Sequence, residues 1–164
     1  MVVEEESWSD KYEAKHVLTL SSIEKKGENY WLTRSKQQDY FILDLGCYKP
    51  RNMVELVNTH NGHSKNSATK AFQVYFSETA TGPWQLVLSS SLSDSRKQED
   101  PLPLQRFSFP YLATRYVKFQ VVSNYGVCGG LQYFSVKSAY TGEDGWVAVW
   151  LKLLMFRSML RLGN

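Results

Sequence analysis

The feature that most constrains the fold is an alternation of apolar residues at every second position in two short runs. Successive side chains of a β-strand point to opposite faces, so this period predicts strands with one buried face. A helix would instead need an apolar period of about 3.6 residues. The residues predicted to face inward are Phe72, Val74, Phe76, Val117, Phe119 and Val121.

Four further apolar runs predict additional strands, whereas helix start and stop signals are scarce before residue 140. These runs cover residues 40–45, 53–57, 84–88 and 131–136. Turn-rich segments separate the runs, at residues 49–52, 79–83, 89–94, 124–126 and 129–130. Short strands joined by polar loops predict an all-β, antiparallel sandwich or barrel, in which function lies on the loops.

The size and charge of the chain limit its function. It has 164 residues, 43% of them hydrophobic, which is enough for one domain with one core. Its 19 Lys and Arg residues exceed its 16 Asp and Glu residues by three, and Lys152, Arg157 and Arg161 account for that excess. Residues 1–145 are therefore neutral overall. Because a nucleic-acid footprint needs a concentrated basic surface, we expect no nucleic-acid partner.

Two cysteines do not form a disulfide framework. Cys47 and Cys128 either pair or are two small, partly buried thiols, and sequence alone leaves both alternatives open. Residues 1–6 lack the basic and apolar regions of a secretory signal. The sequence does not determine the cellular compartment of the protein. If the chain is a fragment of a longer secreted protein, its location is extracellular.

Five segments, taken in order, carry a resemblance to a known family. They are Trp31, residues 40–46, residues 72–77, residues 113–119 and residues 130–131. At these spacings they resemble the discoidin, or coagulation-factor type C, domain over residues 7–139. The resemblance implies a galactose-binding-like jelly roll of about eight antiparallel strands in two packed sheets. Residues 140–164 are then an apolar, basic C-terminal extension outside the domain.

Three conspicuous residues are predicted to be structural. Asp44 ends the run at 40–45, where an acid needs a charged or hydrogen-bonding partner, and we predict that Arg115 supplies it. Trp31 matches a structural position of the family and is predicted to lie in the core. Trp84 follows a tight turn and is predicted to cover an edge of the sandwich.

The most unusual segment is residues 58–66, which contain two histidines, three asparagines and one lysine, but no acid. Amide, imidazole and ammonium groups can hydrogen-bond sugar hydroxyls, and an aromatic ring can stack on the apolar face of a sugar. Related carbohydrate-binding domains hold their ligands in loops of this kind at one end of the sandwich. The alternative is a solvated loop with a turn at Asn61 and Gly62. The predicted ligand-binding residues are Arg34, Asn58, His60, Asn61, His63, Lys65 and Tyr125.

The histidine spacing does not predict a metal site. His60 and His63 lie three residues apart, but a metal needs three or four ligands, and no cysteine or carboxylate flanks them. Many members of the family hold a structural calcium ion. The acid–glycine step expected near residues 18–20 is missing here, and Tyr133 replaces the family's glutamate in the last strand. We therefore expect no cofactor, with structural calcium as the alternative that the resemblance leaves open.

Motifs of nucleophilic, phosphate-binding and zinc-dependent catalysis are absent from the sequence, so we expect no enzymatic activity. Glu99 and Asp100, beside Arg96 and Lys97, are interpreted as part of a solvated loop. The sequence predicts a non-catalytic recognition module that binds a cell-surface or extracellular glycan or glycoprotein through loops at one end of the sandwich. Two alternatives stay open: binding to an anionic phospholipid membrane, and a protein-interaction scaffold.

The C-terminal segment differs in kind from the rest of the chain. Residues 146–162 are strongly apolar but interrupted by three bases, and 17 residues are short for a membrane span. Three interpretations compete: a helix that docks on a membrane or a partner, a segment folded on the sandwich, or sequence foreign to the domain. Because the family pattern ends near residue 139, we favour an extension outside the domain.

Overall fold

The computed structural model describes residues 1–19, 29–35 and 38–138. Within these ranges the chain forms nine strands and four short 3₁₀ helices. The strands are β1 (Val2–Glu5), β2 (Trp31–Leu32), β3 (Tyr40–Asn58), β4 (Ser67–Thr69), β5 (Ala71–Ser77), β6 (Gln85–Ser91), β7 (Leu104–Val121), β8 (Asn124–Gly126) and β9 (Gly130–Lys137). The 3₁₀ helices are Asp10–Tyr12, Ala14–Leu18, Gly62–Ser64 and Ser95–Lys97.

All strand pairs are antiparallel. Seven strands form one hydrogen-bonded sheet in the order β2-β9-β3-β7-β5-β6, with β1 paired to β3, and β4 pairs with β8 in a separate two-stranded sheet. The predicted all-β, antiparallel jelly roll is confirmed. None of the helices in the described ranges is long and apolar enough to cross a membrane.

Strands β3 and β7 are long enough to run through both layers of the sandwich. The first part of β3, Tyr40–Asp44, pairs with Tyr116–Gln120, and its last part, Met53–Val57, pairs with Leu104–Ser108. The first layer is completed by β1, β5 and β6, and the second by β9 and β2. A single pair of strands therefore connects the two layers.

The core between the layers is a stack of aromatic rings. Phe119 of β7 stacks on Phe41 and on Phe72, each at 5.4 Å between ring centroids. Phe134 of β9 meets Phe41 and Phe119 edge-on, also at 5.4 Å. Trp31 packs edge-on against Phe41 at 5.0 Å and is fully buried, so its predicted core position is confirmed. The confirmed inward-facing residues are Phe72, Val74, Phe76, Val117, Phe119 and Val121, all at most 2% exposed.

Two segments predicted as turns lie within strands, and residues 89–91 of a third, 89–94, extend β6. Residues 49–52 lie within β3, because register shifts on either side of them let one strand bend without leaving its partner. Gly46, at φ +79°, supplies a conformation that other residues rarely adopt. Residues 124–126 form β8, since their backbone pairs with β4 rather than turning on itself.

The predicted partner of Asp44 is confirmed. Arg115 donates two hydrogen bonds to the Asp44 carboxylate, Nε to Oδ1 at 3.0 Å and Nη2 to Oδ2 at 2.9 Å. This guanidinium, helped by the backbone N–H of Gly46, holds the pKa of Asp44 at about 2. Cys47 and Cys128 are both free thiols, and Cys128 is buried. The predicted extension, residues 140–164, lies outside the described residues.

Replacing Arg115 by Gln should lower the free energy of unfolding at neutral pH only slightly, because Arg115 is half-exposed and water screens its ion pair with Asp44. A carboxylate with a depressed pKa stabilises the folded state above its unfolded value of 3.8 and loses that effect as pH falls toward about 2. Urea unfolding from pH 7 to pH 2 should show the two proteins converging below pH 4. Lys49→Gln, an exposed position of β3, is the control, and a difference that persists unchanged at pH 2 would contradict the assignment.

Candidate functional site

A cleft of about 710 Å³ opens beside the loop that follows β3. Four short segments line it: residues 11–12, residues 29–30, residues 60–65 and residues 99–100. The cleft thus gathers parts of the chain that are almost ninety positions apart. It includes the central part of the segment that the sequence singled out as the candidate ligand loop.

The buried side chain of Asn58 anchors the start of the loop. Its Nδ2 donates to the carbonyl oxygens of Thr69, at 2.8 Å, and Ser93, at 3.1 Å. Its Oδ1 accepts from the backbone N–H groups of Thr59 and Thr69, each at 3.0 Å. With its amide fully engaged and 2% of its surface exposed, Asn58 positions the loop and does not line the cleft.

The loop is a tight turn with left-handed backbone at three positions. Asn61 has φ +63°, Gly62 has φ +54° and Lys65 has φ +45°. The N–H of Ser64 donates to the carbonyl of Asn61 at 3.1 Å, so the turn that the alternative interpretation placed at Asn61 and Gly62 is present. Asparagine and glycine tolerate this region, whereas lysine rarely adopts it.

Two stacked tyrosines form the aromatic part of the cleft. The rings of Tyr12 and Tyr30 lie 5.2 Å apart and 22° from parallel. Tyr30 is buried and donates its hydroxyl to Oδ1 of Asn61 at 2.9 Å, and burial raises its pKa. Tyr12 is half-buried, so part of its surface is open to solvent.

His60 is buried and Asp100 is half-buried at the base of the cleft. His60 is 3% exposed, and its Nε2 lies 3.4 Å from Oδ1 of Asp100. Within the described part of the chain, His60 Nδ1 and Asp100 Oδ1 are buried and have no hydrogen-bond partner. Buried polar atoms usually have partners, so the base of the cleft is incompletely hydrogen-bonded at these two atoms.

The rim of the cleft is more exposed. His63 and Ser64 face solvent, and Lys65 Nζ donates to Oε1 of Glu99 at 2.5 Å. This ammonium lowers the pKa of the Glu99 carboxyl. Among the described residues no group of three or more His, Cys, Asp or Glu side chains could hold a metal ion.

The structure brings together four of the seven predicted ligand-binding residues: His60, Asn61, His63 and Lys65. Asn58 lies beneath the loop. Arg34 lies elsewhere and pairs with Glu6 at 3.2 Å. Tyr125 also lies elsewhere, with its hydroxyl donating to the Leu92 carbonyl at 3.3 Å and the cations of Lys70 and Arg96 within 6 Å of its ring.

The predicted ligand-binding residues omit six lining residues outside residues 58–66: Lys11, Tyr12, Asn29, Tyr30, Glu99 and Asp100. Tyr30 is recognisable as an aromatic near Trp31, but nothing in its neighbours shows that it faces the loop. Glu99 is exposed, as expected of a solvated loop, whereas Asp100 turns one oxygen inward. The apolar residue Leu102 could have indicated the position of Asp100. It is buried with Val57 and Tyr133, and this contact holds residues 99–103 against the sandwich.

No family model matches the sequence, and no curated protein does. Solved structures do match. The module CpGH89CBM32-5 from Clostridium perfringens, in complex with GalNAc-β-1,3-galactose, is 16% identical with a TM-score of 0.64, over 84% of this chain and 93% of that one. The CBM32 module of AlyQ, in complex with 4,5-unsaturated mannuronic acid, is 15% identical with a TM-score of 0.61, over 85% of this chain and 97% of that one.

A third match is to SpGH29, with 16% identity and a TM-score of 0.63 over 86% of this chain. This chain spans 27% of the SpGH29 chain. These likenesses show the fold, the galactose-binding-like jelly roll that the sequence resemblance implied. Carbohydrate-binding modules are thus prominent among the structural neighbours.

The left-handed backbone of Lys65 can be tested with a matched pair of variants. Lys65→Gly and Lys65→Ala both remove the ion pair with Glu99, but glycine alone adopts φ +45° without steric cost. We expect Lys65→Gly to be more stable than Lys65→Ala by up to about 1 kcal/mol in urea unfolding. An alanine variant that equals or exceeds the glycine variant in stability would contradict this loop conformation.

Proposed function

We propose that this chain is a non-catalytic recognition module that binds a glycan in the cleft beside the loop at residues 60–65. The observation that carries the proposal is the half-buried ring of Tyr12, stacked on Tyr30, in one cleft with the exposed imidazole of His63. Accessible polar side chains beside an aromatic surface suit a ligand with hydroxyls on an apolar ring.

Each part of the cleft has a defined task in this proposal. The half-buried ring of Tyr12 stacks on the C–H face of a sugar. Exposed His63 and the accessible part of the Asp100 side chain hydrogen-bond sugar hydroxyls, and His60 lies buried beside them. Asn61 is already oriented by Tyr30, and its Nδ2 donates to Oδ1 of Asn66 at 2.7 Å, so it enters the site in a fixed position.

The structural neighbours support this choice of ligand. Two modules that share the fold were solved with sugars, one with a GalNAc-galactose disaccharide and one with an unsaturated mannuronic acid. Those sugars differ, so the neighbours support a glycan as the class and leave the individual sugar to this chain's own residues. The proposal concerns a recognition role, because no catalytic motif is present in the sequence.

A shallow, partly exposed site predicts weak binding at a single cleft. We expect a Kd on the order of 0.1–1 mM, since few polar contacts must offset the entropy of association. Tight binding to a glycan-bearing surface would then require several copies of the module, or several binding sites, to act together. The two alternatives from the sequence, binding to an anionic phospholipid surface and binding to a protein partner, are untested predictions.

The three histidines of the chain allow a direct test. In a panel of mono- and disaccharides followed by NMR, a binding sugar should shift the imidazole signals of His60 and His63 and leave that of His16 unchanged. His16 lies in the 3₁₀ helix Ala14–Leu18 and does not line the cleft. His63→Ala should weaken binding about threefold or more through loss of a hydrogen bond.

His16→Ala is the matched control and should bind as the wild type does. The proposal would be contradicted if no sugar in the panel shifted the imidazole NMR signal of His60 or of His63. Binding to anionic vesicles that falls with added salt, without any sugar response, would favour the membrane alternative instead.

A further inference from the structure

We infer that the chain has a second sugar-binding site, in a groove of about 380 Å³ on another part of the sandwich. The groove is lined by the bend of β3 at Tyr48, the residues around the end of β5, the start of β6 and the part of β7 at Leu112. It shares no lining residue with the cleft. The inference therefore goes beyond the proposed function and stands or fails separately from it.

The groove and the cleft are too far apart to hold one sugar ring between them. Tyr48 precedes the part of β3 that pairs with β7 and β9 in the second layer, and the cleft loop follows that part. The stretch from Met53 to Asn58 alone spans about 17 Å at the ~3.3 Å rise of a β-strand. Each site must therefore bind its own sugar unit.

The aromatic surface of the groove is the ring of Tyr48. This side chain is 53% exposed, yet its hydroxyl donates to Oε1 of Glu78 at 3.0 Å, so the ring is held in position across the groove. Trp84 forms a second wall, but Nζ of Lys118 lies over its ring, 5.5 Å from the centroid. The exposed ring of Tyr48 is thus the surface that can stack on the C–H face of a sugar.

Polar groups for sugar hydroxyls lie on either side of this ring. Glu78 and Gln85 both line the groove and are exposed. A carboxylate accepts hydrogen bonds at both oxygens, and an amide both donates and accepts, so the pair can bind hydroxyls in either role. Among the described residues that line the groove, Glu78 is the one charged side chain. A neutral sugar therefore fits the groove better than an anionic one.

Two separated sites change what one copy of the chain can do. Each site alone is shallow, so we expect a Kd on the order of 1 mM at the groove. One chain with both sites can hold two glycans, or two parts of one long glycan. Its affinity for a glycan-bearing surface then exceeds that of either site without any additional contact.

The test titrates the full chain with methyl galactoside, methyl glucoside and the methyl glycoside of N-acetylglucosamine, followed by NMR. The imidazole signal of His63 reports on the cleft, and the indole N–H signal of Trp84 reports on the groove. We expect at least one sugar to shift the Trp84 signal to saturation. Shifts at His63 alone would overturn the inference and leave the proposed function intact. Shifts at Trp84 alone would support the inference and contradict the proposed function, and no shift at either would overturn both.

Tyr48→Ala removes the stacking ring and should raise the groove Kd, measured at Trp84, by about fivefold or more, with the His63 titration unchanged. Trp8→Ala is the matched control, because Trp8 is also 53% exposed but lines neither site, and it should change neither titration. If Tyr48→Ala does not fold, Glu78→Gln serves instead, with an expected loss of about threefold in groove affinity. An unchanged groove Kd in the variant that folds would overturn the inference.

Discussion

The pairing of the end of β3 with the start of β7 determines where the cleft can form. Val57 is opposite Leu104, so the loop that leaves β3 after Asn58 runs beside the segment that enters β7. That adjacency brings His60 to Asp100 and Lys65 to Glu99 across thirty-four to forty positions of sequence. The same two strands connect both layers of the sandwich, so the core that stabilises them also fixes the site.

Burial on each side of this pairing keeps the two segments in place. On the loop side, the Asn58 amide bonds to β4 and to the chain after β6. On the other side, Leu102 packs with Val57 and Tyr133 in a small apolar cluster. Between these anchors the backbone turns sharply at Asn61, which leaves His60 buried and His63 exposed. Rigid positioning of this kind limits the entropy lost when a ligand binds.

The strands and the core could be predicted because each depends on a local pattern: Phe72, Val74 and Phe76 alternate whatever their partners are. The Asp44–Arg115 pair was also accessible, since a half-buried acid needs a cation. The loop around His60 stood out by composition. The sequence could not show that Tyr12 and Asp100 line the cleft, because this depends on which distant segments meet in the fold. For the same reason it could not show that Tyr125 and Arg34 lie away from the cleft.

The central claim is that the cleft holds the ligand, and a crystal structure of the full chain with a sugar that binds it in solution tests this most directly. We expect the sugar ring against Tyr12, with one hydroxyl within hydrogen-bond distance of the His63 imidazole. A sugar bound instead beside Tyr125, or in the groove of about 380 Å³ lined by Tyr48 and Trp84, with the cleft beside His60 empty, would contradict the account.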